Sequence, residues 1–242
     1  MRVSSLFLRR VHKWIGLVLG LQFLLWTLSG AMMAVLDIEE VSGGPSPPPV
    51  AAPPPSPGGL GWTRAQRWVD EVPVTSLAVR PLLHRNVIEV GTPAGTVLFD
   101  AASGRRIRVD AGLARSIAAA AYPGNAPITS VTKLQELTLA VRKHQLPIWR
   151  IDFDDENNSS YYVSASTGKL LERRNDTWRI WDFFWMLHNM DYARRESFNH
   201  PVIVTVAFAT LWLAVTGLWL LFRTAWAPDL RALRRRLVGR RG

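Results

Sequence analysis

Two long apolar segments enclose a middle region of mixed polarity. Residues 14–36 form one run without a charged side chain, and residues 201–222 form another. A run of about 20 apolar residues suffices for a helix to cross the hydrocarbon core of a bilayer, and each of these runs is long enough. The pattern therefore predicts a membrane protein with two transmembrane α-helices, at residues 14–36 and 201–222.

The net charge of +10 lies entirely at the two ends of the chain. Residues 1–13 contain four basic side chains, and residues 223–242 contain seven arginines against a single aspartate. Because Lys and Arg accumulate on cytoplasmic flanks, we predict a basic cytoplasmic N-terminus at 1–13 and an Arg-rich cytoplasmic tail at 223–242, an N-in/C-in topology. Basic residues beside a span touch anionic lipid, so the predicted partner is the lipid bilayer and not a nucleic acid.

The first apolar run is interpreted as an uncleaved membrane anchor and not as a signal peptide. It is longer than the apolar core of a signal peptide, and no clear small-x-small cleavage site follows it. The chain has no cysteine, which excludes disulfides, thiolate metal sites and cysteine nucleophiles. No HExxH, Walker, GxSxG or dinucleotide-binding motif occurs, so flavin or nicotinamide chemistry would need a separate polypeptide.

Residues 42–61 contain eight prolines and five glycines and are interpreted as an extended spacer. The folded domain follows at residues 62–176. Within it, VLFDAASGRRI at 97–107 resembles YYVSASTGKLL at 161–171, each a strand, a glycine-containing turn and a return strand. Helical patterns at 63–72 and 111–122 precede them. An external α+β domain of two helix-plus-antiparallel-strand units is predicted.

Further strands are predicted at VTSLAV, NVIEV and IWRIDF. The stretch SVTKLQELTLAV, residues 130–141, is ambiguous. Its apolar positions Val131, Leu134, Leu137 and Val141 are closer to helical spacing. The acidic run DFDDEN at 152–157 lacks the spacing of a calcium-binding loop and is interpreted as a solvated hairpin turn.

Two stretches resemble a known family. LPIWRIDFDDENNSSYYVSASTGKLLERRNDTWRIWDFFWMLHNMDY resembles the end of a PepSY domain joined to its membrane segment. RRVHKWIGLVLGLQFLLWTLSGAMMA resembles the opening span of PepSY-associated transmembrane proteins, which begins His-(Arg/Lys)-Trp-x-Gly. The resemblance implies a multi-pass protein of the bacterial inner (cytoplasmic) membrane. Its main domain would be PepSY-like and would lie in the periplasm. Some larger members resemble haem-containing reductases of ferric siderophores, but this chain has two spans where those have four or more.

His12 lies at the predicted cytoplasmic end of the first span, one turn before Gly16 and two turns before Gly20. Small residues four apart let a second helix approach closely, and a planar macrocycle ligated by His12 would use the same groove. The alternative is an interfacial histidine beside Lys13 and Trp14.

His188 lies in the Trp-rich segment 177–192, which is apolar nearly all round and predicts an interfacial helix. An imidazole there either hydrogen-bonds to a neighbour such as Asp182 or ligates haem iron, which suits an apolar pocket. His84 and His144 lie in polar surroundings and are interpreted as surface residues.

His200 precedes Pro201 at the predicted outer end of the second span. Asn199 or Ser197 is a candidate N-cap, with Pro201 as the first helical residue. His200 is then either part of a capping loop or an outer metal ligand. The spacing from His200 to Gly217 is close to the spacing from His12 to Gly30.

His12 and His200 are predicted to lie about 30 Å apart across the membrane, so they cannot ligate one metal together. A symmetric homodimer would pair the histidines of two copies and hold one inner and one outer haem b, as four-helix bundles do. Arg194 and Arg195 would suit the haem propionates. Lipid phosphate, or the nearby Asp191 and Glu196, are their alternative partners.

These observations lead to three hypotheses about the function of the protein. The first is a haem-binding electron-transfer protein that uses His12, His188 and His200. Its donor would be a cytoplasmic flavin reductase or a quinone, and its acceptor a ferric siderophore or another periplasmic compound. The alternative is a non-enzymatic, membrane-anchored PepSY module that binds a periplasmic protein or ligand. An accessory subunit of a transporter or of a larger reductase is a third option.

Overall fold

A computed structural model describes residues 5–45, 60–193, 195 and 199–226. The helices within these ranges are α1 (Ser5–Val35), α2 (Ile38–Val41), α3 (Leu60–Glu71), α4 (Ala111–Ala121), α5 (Asp176–Asn189) and α6 (Pro201–Leu221). The strands are β1 (Ser76–Leu82), β2 (Arg85–Thr92), β3 (Gly95–Asp100), β4 (Arg106–Ile107), β5 (Ile128–Lys133), β6 (Ile148–Phe153), β7 (Ser160–Ser164) and β8 (Leu170–Arg174).

The chain divides into two compact units. The helical unit comprises the described residues up to 35 and those from 182 onwards, and the sheet unit comprises the described residues of 36–181. The predicted proline-rich spacer lies largely outside the described residues, as does most of the Arg-rich tail.

The helical unit is built from α1 and α6, which pack as an antiparallel pair. Residues at the start of α1 meet residues near the end of α6: Leu213 is the side chain that a Cβ at Gly16 would meet, at 3.6 Å. The apolar parts of these helices have mean hydropathies of 1.7 and 2.0, and few of their side chains are buried. Apolar side chains such as Val18 and Phe208 are more than two-thirds exposed. A continuous apolar surface of this kind is typical of helices that face lipid, so the two predicted apolar helices are confirmed as elements long enough to cross a membrane.

The sheet unit contains two four-stranded antiparallel sheets, in the orders β1-β2-β3-β4 and β5-β6-β7-β8. The two predicted glycine hairpins are confirmed, since Leu98 lies opposite Ile107 and Val163 lies opposite Leu170. Helix α3 packs on the first sheet through Trp68, whose ring centroid lies 5.5 Å from that of Phe99. Helices α3 and α4, together with two antiparallel sheets, give this unit the predicted α+β composition.

Both sheets contribute to one core. The side chains of Val87, Leu98, Ile151 and Val163 are at most 1 % exposed and belong to the same apolar cluster. Strand alternation places these residues on one face of each sheet. On the other face of the first sheet, Ile88 and Phe99 are buried in a second cluster with Ala65 of α3. Each buried side chain of this size stabilises the fold by about 1.5–3 kcal/mol, and Arg80 adds a polar link by donating to the carboxylate of Glu89 and to the carbonyl of Thr167.

The helical preference inferred for residues 130–141 is wrong. Residues 128–133 form β5, which pairs with β6 so that Val131 lies opposite Ile151 and Thr132 opposite Arg150. Only Leu139–Val141 are helical, as a single 3₁₀ turn. The spacing of the apolar residues allowed a helix, but pairing with a strand further along the chain gave the backbone groups better partners.

Candidate functional site

The two spans meet at a histidine of the first helix and a glycine of the second. Nδ1 of His12 lies 2.8 Å from Oγ1 of Thr216, and a Cβ added to Gly217 would come within 3.2 Å of Cε1 of the same imidazole. The ring of Trp212 lies beside it, with centroids 6.5 Å apart. The imidazole of His12 is therefore held against α6 by a hydrogen bond, an indole and a backbone that carries no side chain.

A second contact of the same kind lies at the other end of α1. Nδ1 of His188 lies 3.1 Å from the carbonyl oxygen of Trp26 and 3.4 Å from Oγ of Ser29. Its imidazole stacks on the indole of Trp26, with centroids 4.8 Å apart and planes 20° apart. A Cβ added to Gly30 would come within 3.0 Å of Cε1 of His188.

The hydrogen bonds define which nitrogen of His12 carries the proton. The hydroxyl of Thr216 has one hydrogen, which it donates to the carbonyl of Trp212 at 2.8 Å. The carbonyl of Leu213, at 3.1 Å, is a second acceptor for the same hydrogen. With that hydrogen directed to a backbone carbonyl, Oγ1 of Thr216 accepts from Nδ1–H of His12. In the neutral imidazole this leaves an unshared pair on Nε2, the form of histidine that ligates a metal.

The same argument applies to His188. A carbonyl oxygen only accepts, so Nδ1 of His188 donates to Trp26, while Ser29 donates its own hydroxyl hydrogen to that carbonyl at 3.0 Å. Backbone carbonyls commonly hold metal-bound imidazoles in this tautomer. For His12 and His188, no hydrogen bond to Nε2 is found among residues 5–45, 60–193, 195 and 199–226.

His200 differs from both. Its Nε2 donates to the carbonyl of Asn189 at 2.8 Å, so the proton is on Nε2 and Nδ1 has the unshared pair. His200 itself is the N-cap residue of α6 and Pro201 takes the first helical position. The prediction of Pro201 is confirmed, whereas the assignment of the N-cap to Asn199 or Ser197 is wrong.

The expected partners of the charged residues also change. Asp182 accepts from Nη1 of Arg195 at 2.8 Å, and its side chain is 4 % exposed. A hydrogen bond to Asp182 was one of two alternatives for His188, the other being haem ligation. Arg195 was expected to meet haem propionates or, alternatively, lipid phosphate, Asp191 or Glu196. Arg195 instead pairs with this buried carboxylate, whose desolvation is compensated by the guanidinium. Arg194 lies outside the described residues.

The separation of the two imidazole contacts follows from the helix itself. His12 and Gly30 lie on the same helix, α1. At about 1.5 Å of rise per residue, the stretch between them is roughly 27 Å long. His12 and His188 therefore cannot ligate one metal together. Within the described residues, no group of three or more His, Asp and Glu side chains converges on one point.

Sequence reasoning singled out both glycines but paired them differently. Gly30 was compared with His12 and Gly217 with His200, whereas Gly30 contacts His188 and Gly217 contacts His12. Ser29 and Thr216 were missed. The signal for them is a repeated pattern, a tryptophan followed three or four positions later by a hydroxyl residue and a glycine, in WTLSG and WLAVTG.

In the sheet unit, the acids of the predicted turn are engaged with protein donors. Asp152 accepts from Ser130, Arg150 and Ser160 at 2.7–2.8 Å. Burial alone would raise the pKa of Asp152, but these hydrogen bonds outweigh it and hold the pKa below its usual 3.8.

Two further polar contacts stabilise the sheet unit. Burial and the acceptor Asp155 raise the pKa of Tyr122 to about 12. His144 was expected on the surface, but it is half-buried and pairs with Glu172 at 2.8 Å.

The chain matches the family model of the PepSY-associated TM region over residues 9–241. It therefore belongs to that family, and its two apolar helices are those of a membrane protein. No curated protein and no solved structure shows significant similarity to the chain.

Proposed function

We propose that this protein binds haem b through His12 and His188 and passes electrons across the bacterial inner membrane. The observation that carries the proposal is the shared tautomer of the two imidazoles, each donating from Nδ1 and keeping the unshared pair on Nε2. They contact opposite ends of α1, which is the arrangement that transfer between the two faces of a membrane requires.

The surroundings of the imidazoles fit a haem. Each ring has an indole beside it and a glycine beneath it, so the neighbourhood is apolar and close-packed on the protein side. A Cβ added to Gly20 would meet nothing within 4 Å, which leaves a smooth face of α1 for a macrocycle or for a second copy of the chain. Bound haem iron would supply the one-electron chemistry by alternating between the ferric and ferrous states.

A homodimer would complete each site. His12 and His188 are each present once per copy, so a second copy would provide a second imidazole at each end, as in a four-helix bundle. His200 is a further candidate at the outer end, through Nδ1. Arg195 has donors beyond the one used by Asp182, and these, with Arg194, would suit propionates.

The proposed topology places both termini in the cytoplasm and the sheet unit, as a PepSY-like domain, in the periplasm. The chain lacks cysteine and dinucleotide motifs, so the electrons would come from a cytoplasmic flavin reductase or a quinone. A ferric siderophore or another periplasmic compound would be the acceptor.

Absorbance spectroscopy of the full chain, purified in a neutral detergent from cells supplied with a haem precursor, tests the proposal. We expect a Soret band that shifts on reduction with dithionite. His12→Ala and His188→Ala should each remove about half of the haem, because each substitution abolishes the ligand of one of the two sites. His84→Ala, an exposed histidine of the sheet unit, is the matched control and should leave the spectrum unchanged. A colourless wild-type preparation would refute the proposal.

The homodimer is tested separately. Two differently tagged copies expressed together should co-purify, and the amount of haem should follow the dimer fraction on dilution. A strictly monomeric protein that holds haem would overturn the dimer but leave haem binding in place.

A second candidate function is a non-enzymatic module that binds a protein partner. Strand β1 is the outermost strand of its sheet, and its Leu77 and Val79 side chains are 45 % and 43 % exposed. An exposed edge strand can accept a further strand from a partner. This function predicts that His12→Ala and His188→Ala leave partner binding intact.

A further inference from the structure

The sheet unit contains a cavity that neither haem binding nor strand addition uses. Its volume is about 410 Å³, within the usual range of small-molecule sites. It is lined by β3 and β4 of the first sheet, by the residues between β4 and α4, and by β5 and β6 of the second sheet. Residues from both sheets are therefore needed to form it.

Three basic residues lie in the lining of this cavity. Arg106, Arg108 and Lys133 all line it, and they are accompanied by one acid, Asp110. Asp110 is already engaged as the N-cap of α4, where its side chain accepts from the backbone N–H of Leu113 at 2.8 Å. The cavity thus combines three positive charges with a single carboxylate that is turned to a structural role.

These three cations differ from six other basic residues of the sheet unit, which are ion-paired. No carboxylate of the described residues lies within ion-pair distance of Arg106, Arg108 or Lys133. In contrast, ion pairs are made by Arg80, Arg85, Arg150, Lys169, Arg174 and Arg179. All three residues are solvent-exposed, and a cleft lined by charges of one sign raises the local concentration of oppositely charged ligands.

An aromatic wall completes the site. Trp149 lines the cavity, and its Nε1 donates to the carbonyl of Val109 at 2.8 Å, which fixes the plane of the indole. Nζ of Lys133 lies 5.9 Å from the centroid of that ring. A rigid indole in a cavity that is also lined by two arginines suits a ligand that has both a flat apolar body and acidic groups.

We propose that the sheet unit binds a small organic polyanion in this cavity, one with two or more carboxylate-like groups on an aromatic or apolar body. Arg106 and Arg108 bind the acidic groups, Lys133 neutralises a further charge, and Trp149 packs against the body. The proposal does not depend on haem, because none of these residues belongs to the helical unit.

The test is calorimetric titration of the full chain in neutral detergent with trimesate, benzene-1,3,5-tricarboxylate. We expect saturable binding that weakens as salt is added. Arg106→Gln combined with Arg108→Gln should weaken it at least about tenfold, the usual effect of losing charged hydrogen bonds. The matched control is Arg115→Gln combined with Lys143→Gln, which removes the same charge from positions outside the cavity and should change the affinity less than about twofold.

Two further ligands separate the parts of the proposal. The neutral benzene-1,3,5-tricarboxamide should not bind, and citrate, which has the acids without the ring, should bind more weakly than trimesate. If the double Arg variant fails to fold, as judged by its circular dichroism, Lys133→Gln replaces it with the same expected direction. The absence of saturable trimesate binding, or an equal loss in the control variant, would overturn the proposal.

Discussion

Nδ1 of His12 lies 2.8 Å from Oγ1 of Thr216, although 204 positions separate the two residues in the sequence. This bond joins the beginning of α1 to the last turns of α6. The other end of α1 is joined to α5 by His188, which rests on Trp26 and Gly30. Each end of α1 is thus joined to another helix through an imidazole that packs against a glycine.

Replacement of Thr216 by Val should loosen the helix pair. The methyl group keeps the volume of the side chain but cannot accept from Nδ1–H of His12, so the bond is lost. Hydrogen bonds between membrane helices contribute about 0.6 kcal/mol on average and up to about 1.7 kcal/mol. We expect a lower midpoint of thermal unfolding, followed by tryptophan fluorescence in detergent. Thr216→Ser retains the hydroxyl and should stay near the wild type; equal midpoints for Val and wild type would contradict the role given to this bond.

Ser29→Ala should have a smaller effect than Thr216→Val. Nδ1 of His188 lies closer to the carbonyl of Trp26, at 3.1 Å, than to Oγ of Ser29, at 3.4 Å. The carbonyl remains after the substitution, so the imidazole keeps its main acceptor. The same unfolding measurement checks this order. A loss at Ser29 as large as that at Thr216 would show that the hydroxyl, and not the carbonyl, holds His188.

The glycines beneath the imidazoles should not tolerate alanine. A Cβ at Gly30 would lie 3.0 Å from Cε1 of His188, and one at Gly217 would lie 3.2 Å from Cε1 of His12. Overpacking of this kind typically costs about 1–3 kcal/mol, so both variants should unfold at lower temperature, Gly30→Ala more than Gly217→Ala. Gly20→Ala is the control on the same helix, because its Cβ would meet nothing within 4 Å. Equal midpoints for the three variants would exclude close packing as the reason for the glycines.

Stability of the sheet unit should depend on Asp152 in a pH-dependent way. The hydrogen bonds from Ser130, Arg150 and Ser160 hold the pKa of this carboxyl below its usual 3.8. A carboxyl whose folded pKa is lowered stabilises the fold above its unfolded pKa, and this contribution disappears as the pH falls through the folded pKa. Asp152→Asn should therefore destabilise the protein at pH 7, by about 1.5–3 kcal/mol if the charged hydrogen bonds are lost.

The difference between Asp152→Asn and the wild type should shrink below about pH 4. Thermal unfolding at a series of pH values measures it. Asp154→Asn, at the exposed neighbouring acid, is the control and should show little difference at any pH. A constant gap between Asp152→Asn and the wild type down to about pH 3 would show that the charge of Asp152 is not what its partners stabilise.

Local patterns were sufficient for much of the architecture. The apolar runs, the glycines of the two hairpins and the strand IWRIDF each report on neighbouring residues, so α1, α6, β3–β4 and β6–β8 follow from the sequence. The secondary structure of residues 130–141 could not be predicted from the local pattern. Their spacing suits a helix, and only pairing with β6 decides that the first part is a strand.

The candidate sites show the same division more sharply. The sequence predicts that His12 and His188 lie near the ends of apolar helices, because the lengths of the apolar segments place them there. Their contacts with Gly217 and Gly30, and the tautomers that their hydrogen bonds impose, depend on atoms that packing brings together from opposite ends of the chain. The cavity of Arg106, Arg108 and Lys133 likewise exists only because two sheets share one core. Short-range patterns determine elements, whereas a site that depends on hydrogen-bond geometry appears only when distant elements have packed.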